Sequence, residues 1–272
     1  MDKRIAMIGG GNMAGAIVAG LVANGFDPKN IDVLDRNADK CERLARLYGV
    51  GTHEQGGPWL SSADIVVWAV KPQGLAKTIA SLSDFLGKDV LYISIAAGIR
   101  AADIIRWQHS PRLVRVMPNT PALVKAGVAG MYVPADLSDE DARNALEVVR
   151  AMGEVIPVPS EEQLDLLSTV SGSGPAYVFR FIEAMEAAAV KRGFDPQLAR
   201  KMAILTVWGA AKLALESDEA PAQLRANVTS KGGTTAEALR VMQEHHFMEM
   251  MDEAVQAAYD RNQVLADELG RA

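Results

Sequence analysis

The run Ile8-Gly9-Gly10-Gly11-Asn12-Met13-Ala14-Gly15 places Gly9, Gly11 and Ala14 at the spacing G-x-G-x-x-A, directly after an apolar run and at the start of a helix-period segment. Each small residue suits a loop that cradles a pyrophosphate. Gly9 permits the tight turn, Gly11 lets the backbone approach the phosphates, and Ala14 lets the helix pack closely on the strand. The free N–H groups of the helix start then point at the anion. Ile8, Gly9, Gly10, Gly11, Asn12 and Met13 are therefore candidate contacts of a dinucleotide. About twenty residues past the loop, the next apolar run ends in Asp35-Arg36-Asn37. Asp35 suits the ribose hydroxyls of NAD, whereas Arg36 and Asn37 suit the extra phosphate of NADP. The balance favours NADPH, with NADH the alternative.

Such a loop needs a strand before it and a helix after it, and the pattern supplies both repeatedly. Strand signals fall at Arg4–Ile8, Ile31–Leu34, Ile65–Val70, Val90–Ile95 and Leu113–Val116, with weaker ones at Gly127–Val133 and Val155–Val158. Helix-period segments lie near Met13–Asn24, Ala38–Tyr48, Gln73–Phe85, Ala101–Gln108 and Asp139–Met152. This alternation predicts parallel βαβ units with helices on both faces of one sheet. The runs from Ile65 and Val90 are apolar almost throughout, as central strands buried on both faces are.

After Pro157-Val158-Pro159-Ser160 only helices are indicated, beginning with Ser160 as an N-cap ahead of Glu161 and Glu162. They span Glu161–Thr169, Pro175–Arg192, Pro196–Ser217, Ala220–Asn227, Thr234–His245 and Phe247–Leu269. The fold class is thus α/β, an N-terminal Rossmann-type doubly wound sheet followed by an all-α C-terminal domain. The division is 1–160 for dinucleotide binding and 161–272 for the helical part. The helices Pro175–Arg192 and Pro196–Ser217 are apolar around too much of their circumference to have a free face, which predicts burial against a second subunit.

A net charge of −6 and the lack of any basic run argue against a nucleic-acid partner. One cysteine, Cys41, excludes an intramolecular disulfide and a thiolate metal cluster; packing on the helix after the second strand is its expected role. The N-terminal apolar stretch is too short for a signal-peptide core, and Met202 to Leu215 is too short for a bilayer span. A soluble, cytoplasmic enzyme without metal or membrane partner is expected. His53 and His109 stand isolated, and His245-His246 has no acidic or cysteine partner at ligand spacing.

Four further motifs narrow the chemistry. They are Ala69-Val70-Lys71-Pro72-Gln73, Arg115-Val116-Met117-Pro118-Asn119-Thr120-Pro121, Ser171-Gly172-Ser173-Gly174-Pro175-Ala176-Tyr177 and Val228-Thr229-Ser230-Lys231-Gly232-Gly233-Thr234-Thr235. Their order resembles the pyrroline-5-carboxylate reductase family, from the first strand to about residue 243, and Pro221 to Gln243 fits that family's signature throughout. The resemblance implies reduction of the C=N bond of 1-pyrroline-5-carboxylate to L-proline by NADPH or NADH, and a homodimer or a higher homo-oligomer such as a decamer.

The substrate implied carries one carboxylate and one ring nitrogen. Ser230 with the backbone N–H groups of Gly232, Gly233 and Thr234, at a helix start, would hold the carboxylate. By the same resemblance Thr235 is the catalytic candidate, its hydroxyl near the ring nitrogen, and Asn227 lies close to the nicotinamide amide or the substrate. Ala69, Val70, Lys71 and Pro72 look like the loop under the nicotinamide ribose, and Ala96 and Ala97 are small where the nicotinamide would lie. The sequence departs from the family before Asp64, where Gln55-Gly56-Gly57 replaces an often-found asparagine near the adenosine. Two other readings stay open at this point. A β-hydroxyacid dehydrogenase would need a second-domain lysine beside a glycine-rich segment, a context that Lys191, Lys201 and Lys212 lack. A dinucleotide sensor would have no use for the Ser230–Thr235 cradle.

Overall fold

The computed structural model describes residues 3–87 and 89–270. Eight strands form one sheet: β1 (Ile5–Ile8), β2 (Ile31–Leu34), β3 (Gly51–His53), β4 (Ile65–Trp68), β5 (Leu91–Ser94), β6 (Leu113–Met117), β7 (Gly127–Tyr132) and β8 (Gly153–Val158), in the spatial order β3-β2-β1-β4-β5-β6-β7-β8. Strand order reverses between β1 and β4, and ligands of open α/β sheets bind at the carboxyl ends of strands at such a switch point. Ile5 of β1 pairs with Ile31 on one side and Ile65 on the other.

Residues alternate between two cores, as a strand's period of two dictates. Ile5, Met7, Val33, Val67 and Ile93 face α1 (Asn12–Ala23) and α5 (Asp139–Arg150). Ala6, Ile8, Val66, Trp68 and Tyr92 face the other side, packed with residues of α3 (Leu75–Leu82) and α4 (Ala101–Gln108). The central strands are thus buried on both faces. Trp68 satisfies its indole N–H on Gln108 Oε1 at 3.0 Å inside the second core.

Two features depart from the sequence expectation. The three-residue edge strand β3 carries too little apolar signal to announce itself, with one glycine and one histidine in Gly51–His53. β7 runs antiparallel to β6, whereas every other neighbouring pair is parallel. Between them lies only the short 3-10 turn Thr120–Val124, and a parallel crossover needs a dozen or more residues. Pro157 sits in β8, at the edge of the sheet, where a missing N–H is tolerated.

The chain divides into two compact units: Gly174–Ala257, and the remainder, which includes the stretch from residue 258 onward. This boundary lies later than residue 160 because α6 (Glu161–Leu167) belongs to the sheet unit. There Arg115 of β6, 4% exposed, donates to Glu161 Oε1 at 2.5 Å and to Asp165 Oδ1 at 3.4 Å. Glu161 Oε1 also accepts the Ala101 N–H at 2.7 Å, and Asp165 Oδ2 accepts from Gln263 at 3.4 Å. The helix α6 passes into a π turn, Ser168–Gly172.

The second unit contains α7 (Gly174–Val190), α8 (Pro196–Glu216), α9 (Pro221–Asn227) and α10 (Thr234–Glu244), and α11 (Phe247–Leu269) begins in it. α7 has no buried residue in the single chain, and α8 has only Ala199 and Ala203. Phe179, Phe181, Leu205, Trp208 and Leu213 all lie exposed. So many large apolar groups on one small unit mark an interaction surface. No described helix is long and apolar enough to cross a membrane.

Candidate functional site

The glycine loop sits at the switch point and is tied there by its backbone. Gly9 N–H donates to Leu34 O at 2.7 Å, and Ala69 N–H donates to Ile8 O at 2.8 Å, so the loop is fastened to the ends of both β2 and β4. Gly9 has φ +115°, and a Cβ on it would collide with the Ala69 carbonyl, which is why only glycine fits. Above Gly11 there is open space, the cradle that a phosphate needs. Gly11 is the N-cap of α1 and no side chain caps that helix, so the N–H groups of its first turn are free to meet an anion. Ala14 is fully buried under the loop, in keeping with close helix–strand packing.

At the end of β2 the structure gives Asp35 a second occupation. Its Oδ2 accepts the Gly10 N–H at 2.8 Å and the Lys40 ammonium at 3.1 Å, and its Oδ1 accepts the Asn37 N–H at 2.9 Å. Partial burial raises the carboxyl, but these bonds from Asn37, Gly10 and Lys40 outweigh it and hold the pKa below its ordinary value. Asn37 is itself the N-cap of α2 (Ala38–Tyr48), accepting from Lys40 N–H at 3.1 Å. Arg36 is exposed beside them. Cys41 is buried, its thiol donating to Asp35 O and its pKa pushed up by that burial.

The remaining cofactor candidates end neighbouring strands. Ala69 and Val70 follow β4, and Lys71, exposed, precedes a 3-10 turn that opens with Pro72. Ala96 and Ala97 follow β5; Ser94 Oγ accepts the Ala96 N–H at 3.3 Å. Gly98, at φ +66°, lies against Leu265 and Asn262, so the tail of α11 backs this loop. All of these residues, from Ile8 to Ala97, thus gather at the carboxyl ends of β1, β2, β4 and β5.

In the second unit the segment before α10 forms a compact turn. Gly232 has φ +71°, and Gly233 is the N-cap of α10, again without a capping side chain. The Gly233 N–H donates to the Ser230 carbonyl at 3.0 Å and is therefore engaged in the turn itself. The Ser230 hydroxyl lies over Gly233, where a Cβ would meet its oxygen. Thr234 and Thr235 are the first two residues of the helix, Thr235 half-buried. Asn227 closes α9 with both ends of its amide engaged: it accepts from Gln223 at 2.8 Å and donates to Glu219 at 2.8 Å.

The structure gives several residues, some of them inside motifs already singled out, contacts that local sequence does not announce. Lys40 stands five residues after Asp35, in the first turn of α2, and bonds it. Arg115 interrupts an apolar strand, and Glu161 and Asp165, at i and i+4 on one helix face, are the matching signal. Asn119 donates to Ser171 O at 3.0 Å and accepts the Val128 N–H at 2.9 Å, tying β7 to the π turn. His53, isolated in sequence, bonds Asp32 Oδ1 at 2.9 Å and stacks on Trp59 at 3.9 Å.

Comparison with known proteins gives a consistent set of relatives. A family model described as pyrroline-5-carboxylate reductase dimerisation matches residues 161–265. One described as NADP oxidoreductase coenzyme F420-dependent matches residues 4–98. A pyrroline-5-carboxylate reductase of Haemophilus influenzae is 42% identical over 263 residues, 96% of this chain and 97% of that protein. The solved structure of a pyrroline-5-carboxylate reductase from Coxiella burnetii is 39% identical with a TM-score of 0.91, covering 98% of this chain and 99% of that one. A pyrroline carboxylate reductase of Plasmodium falciparum, solved with NADP bound, is 25% identical with a TM-score of 0.85, over 97% of this chain and 98% of that one.

Proposed function

This chain belongs to the pyrroline-5-carboxylate reductase family, and from that membership we propose how its residues share the work. It is an NAD(P)H-dependent oxidoreductase that reduces 1-pyrroline-5-carboxylate to L-proline, the last step of proline synthesis. Agreement along nearly the whole chain with reductases of that name carries this reading. The nicotinamide, when bound, supplies the hydride.

The first unit takes the cofactor. Gly11 and the uncapped start of α1 receive the pyrophosphate, with Ile8, Gly9, Gly10, Asn12 and Met13 around it. Asp35, Arg36 and Asn37 set the environment of the adenosine ribose, and Ala69–Pro72 with Ala96 and Ala97 frame the nicotinamide half. NADPH is the preferred form.

The second unit takes the substrate carboxylate. Ser230 Oγ and the N–H groups of Gly232 and Thr234 hold it at the start of α10, with the uncapped Thr235 N–H beside them, while the Gly233 N–H closes the turn. The Thr235 hydroxyl bonds the ring nitrogen and stabilises its protonated form. Asn227, fixed by Gln223 and Glu219, anchors the approach to this loop. The imine enters protonated, so positioning and this one hydrogen bond carry the catalysis, with no nucleophile required.

The protein is a homo-oligomer, built through the helical segments that the dimerisation model matches, 161–265. Exposed α7 and α8 support a dimer through that part, which stands alone or builds a higher homo-oligomer such as a decamer, in the cytoplasm. A compact 29.1 kDa species in sedimentation would refute the oligomer. The activity itself is tested by cofactor oxidation on adding 1-pyrroline-5-carboxylate, with no oxidised-cofactor reduction on 3-hydroxyisobutyrate. Turnover of the hydroxyacid and not of the imine would overturn the assignment.

A further inference from the structure

A carboxylate at the end of β2 ordinarily selects against NADP, because it accepts the ribose hydroxyls and repels a 2′-phosphate. Asp35 stands at that place, yet its charge is already met within the protein. Oδ1 is bonded to Asn37 N–H, and Oδ2 is shared by Gly10 N–H and the Lys40 ammonium. Of these donors only Lys40 is a cation, 3.1 Å away with its side chain 45% exposed. Its position is informative. Lys40 is the third residue of α2, and a cation in the first turn opposes the helix dipole. The ion pair with Asp35 offsets that cost. Arg36, by contrast, is exposed and has no ion pair among the described residues.

We propose that Lys40 is a specificity-determining residue: by pairing with Asp35 it cancels the charge that would exclude a 2′-phosphate, and so admits NADPH beside Arg36. This rests on the reading of the first unit as the NAD(P)H site. Asp35 acts as a brace of the glycine loop through Gly10 and contributes little reading of the ribose. Lys40 acts through Asp35 and not by gripping the phosphate. The two roles separate in a double-variant cycle.

The test is calorimetric binding of NADP+ and of NAD+ to the purified full-length protein without substrate, with steady-state NADPH and NADH kinetics beside it. The ratio of the two affinities is the readout, because any general loosening of the loop cancels in it. Lys40→Met should shift the ratio about tenfold toward NAD+, the effect shrinking at high salt. Lys40→Arg should keep the ratio within about threefold of the parent. Adding Asp35→Asn to Lys40→Met should restore it to within about threefold, since no charge is left to cancel. An unchanged ratio in Lys40→Met overturns the proposal while leaving the cofactor reading intact. A loss that persists in the double variant also overturns it, by showing that Lys40 grips the phosphate directly. A parent that binds neither nucleotide would overturn both.

Discussion

Replacing Arg115 by Met strips the cation from a cluster that ties β6 to α6 and to the start of α4. The guanidinium is 5% exposed and bonded to Glu161 and Asp165. Glu161, with its side chain 29% exposed, can turn toward water; Asp165, at 11%, cannot. Stranding one partner of a buried pair costs about 3–5 kcal/mol, and with one of two carboxylates able to resolvate the lower end applies, about 3 kcal/mol. At roughly 2–4 °C per kcal/mol for a domain of this size, Tm should fall by about 6–12 °C. The assay is urea and thermal unfolding at one fixed protein concentration, because an oligomer's stability depends on concentration. Arg115→Met combined with Asp165→Leu removes the stranded charge and should recover more than half of the loss. A single variant within about 1 kcal/mol of the parent would refute the reasoning, since the cluster would then be mere surface pairing.

Gly20→Ala places a methyl into the Ala151 carbonyl and should cost about 2–3 kcal/mol, read from the urea midpoint. Thr235→Val should lower kcat/KM about ten- to a hundredfold, the value of a hydrogen bond to a charged nitrogen, with nucleotide affinity unchanged. Ser230→Ala should instead raise KM for the imine. Asp35 has a lowered folded pKa, so its stabilisation is present above its ordinary 3.8 and is lost as pH falls through the folded value. Asp35→Asn should therefore be less stable than the parent at neutral pH, and urea midpoints should show that gap narrowing below about pH 4.

What the chain revealed before folding follows from how local each signal is. The glycine spacing fixes a loop because steric demands at Gly9 and Ala14 arise within a few residues. α2 and α4 match their expected spans to the residue because their apolar stripes are local as well, and at α2 so is the Asn37 cap. The direction of β7 is not local: it depends on the missing crossover after Pro118 and on which edge lies free. Charge pairing is hidden for the same reason. Asp35 reads as a ribose acceptor until Lys40 and Gly10 are seen on it, and Arg115 reads as an oddity in an apolar strand until α6 is folded onto it. Apolar excess on α7 and α8 was visible because periodicity reports which faces lack a partner.

The most direct test of the account follows the hydride itself. NADPH carrying deuterium at the transferable position of its nicotinamide is incubated with the enzyme and 1-pyrroline-5-carboxylate, and the product is analysed by mass and by NMR. The account predicts L-proline in equal amount to the cofactor consumed, with one deuterium on the ring carbon that was double-bonded to nitrogen. Cofactor oxidation without proline, or proline without that deuterium, would contradict it.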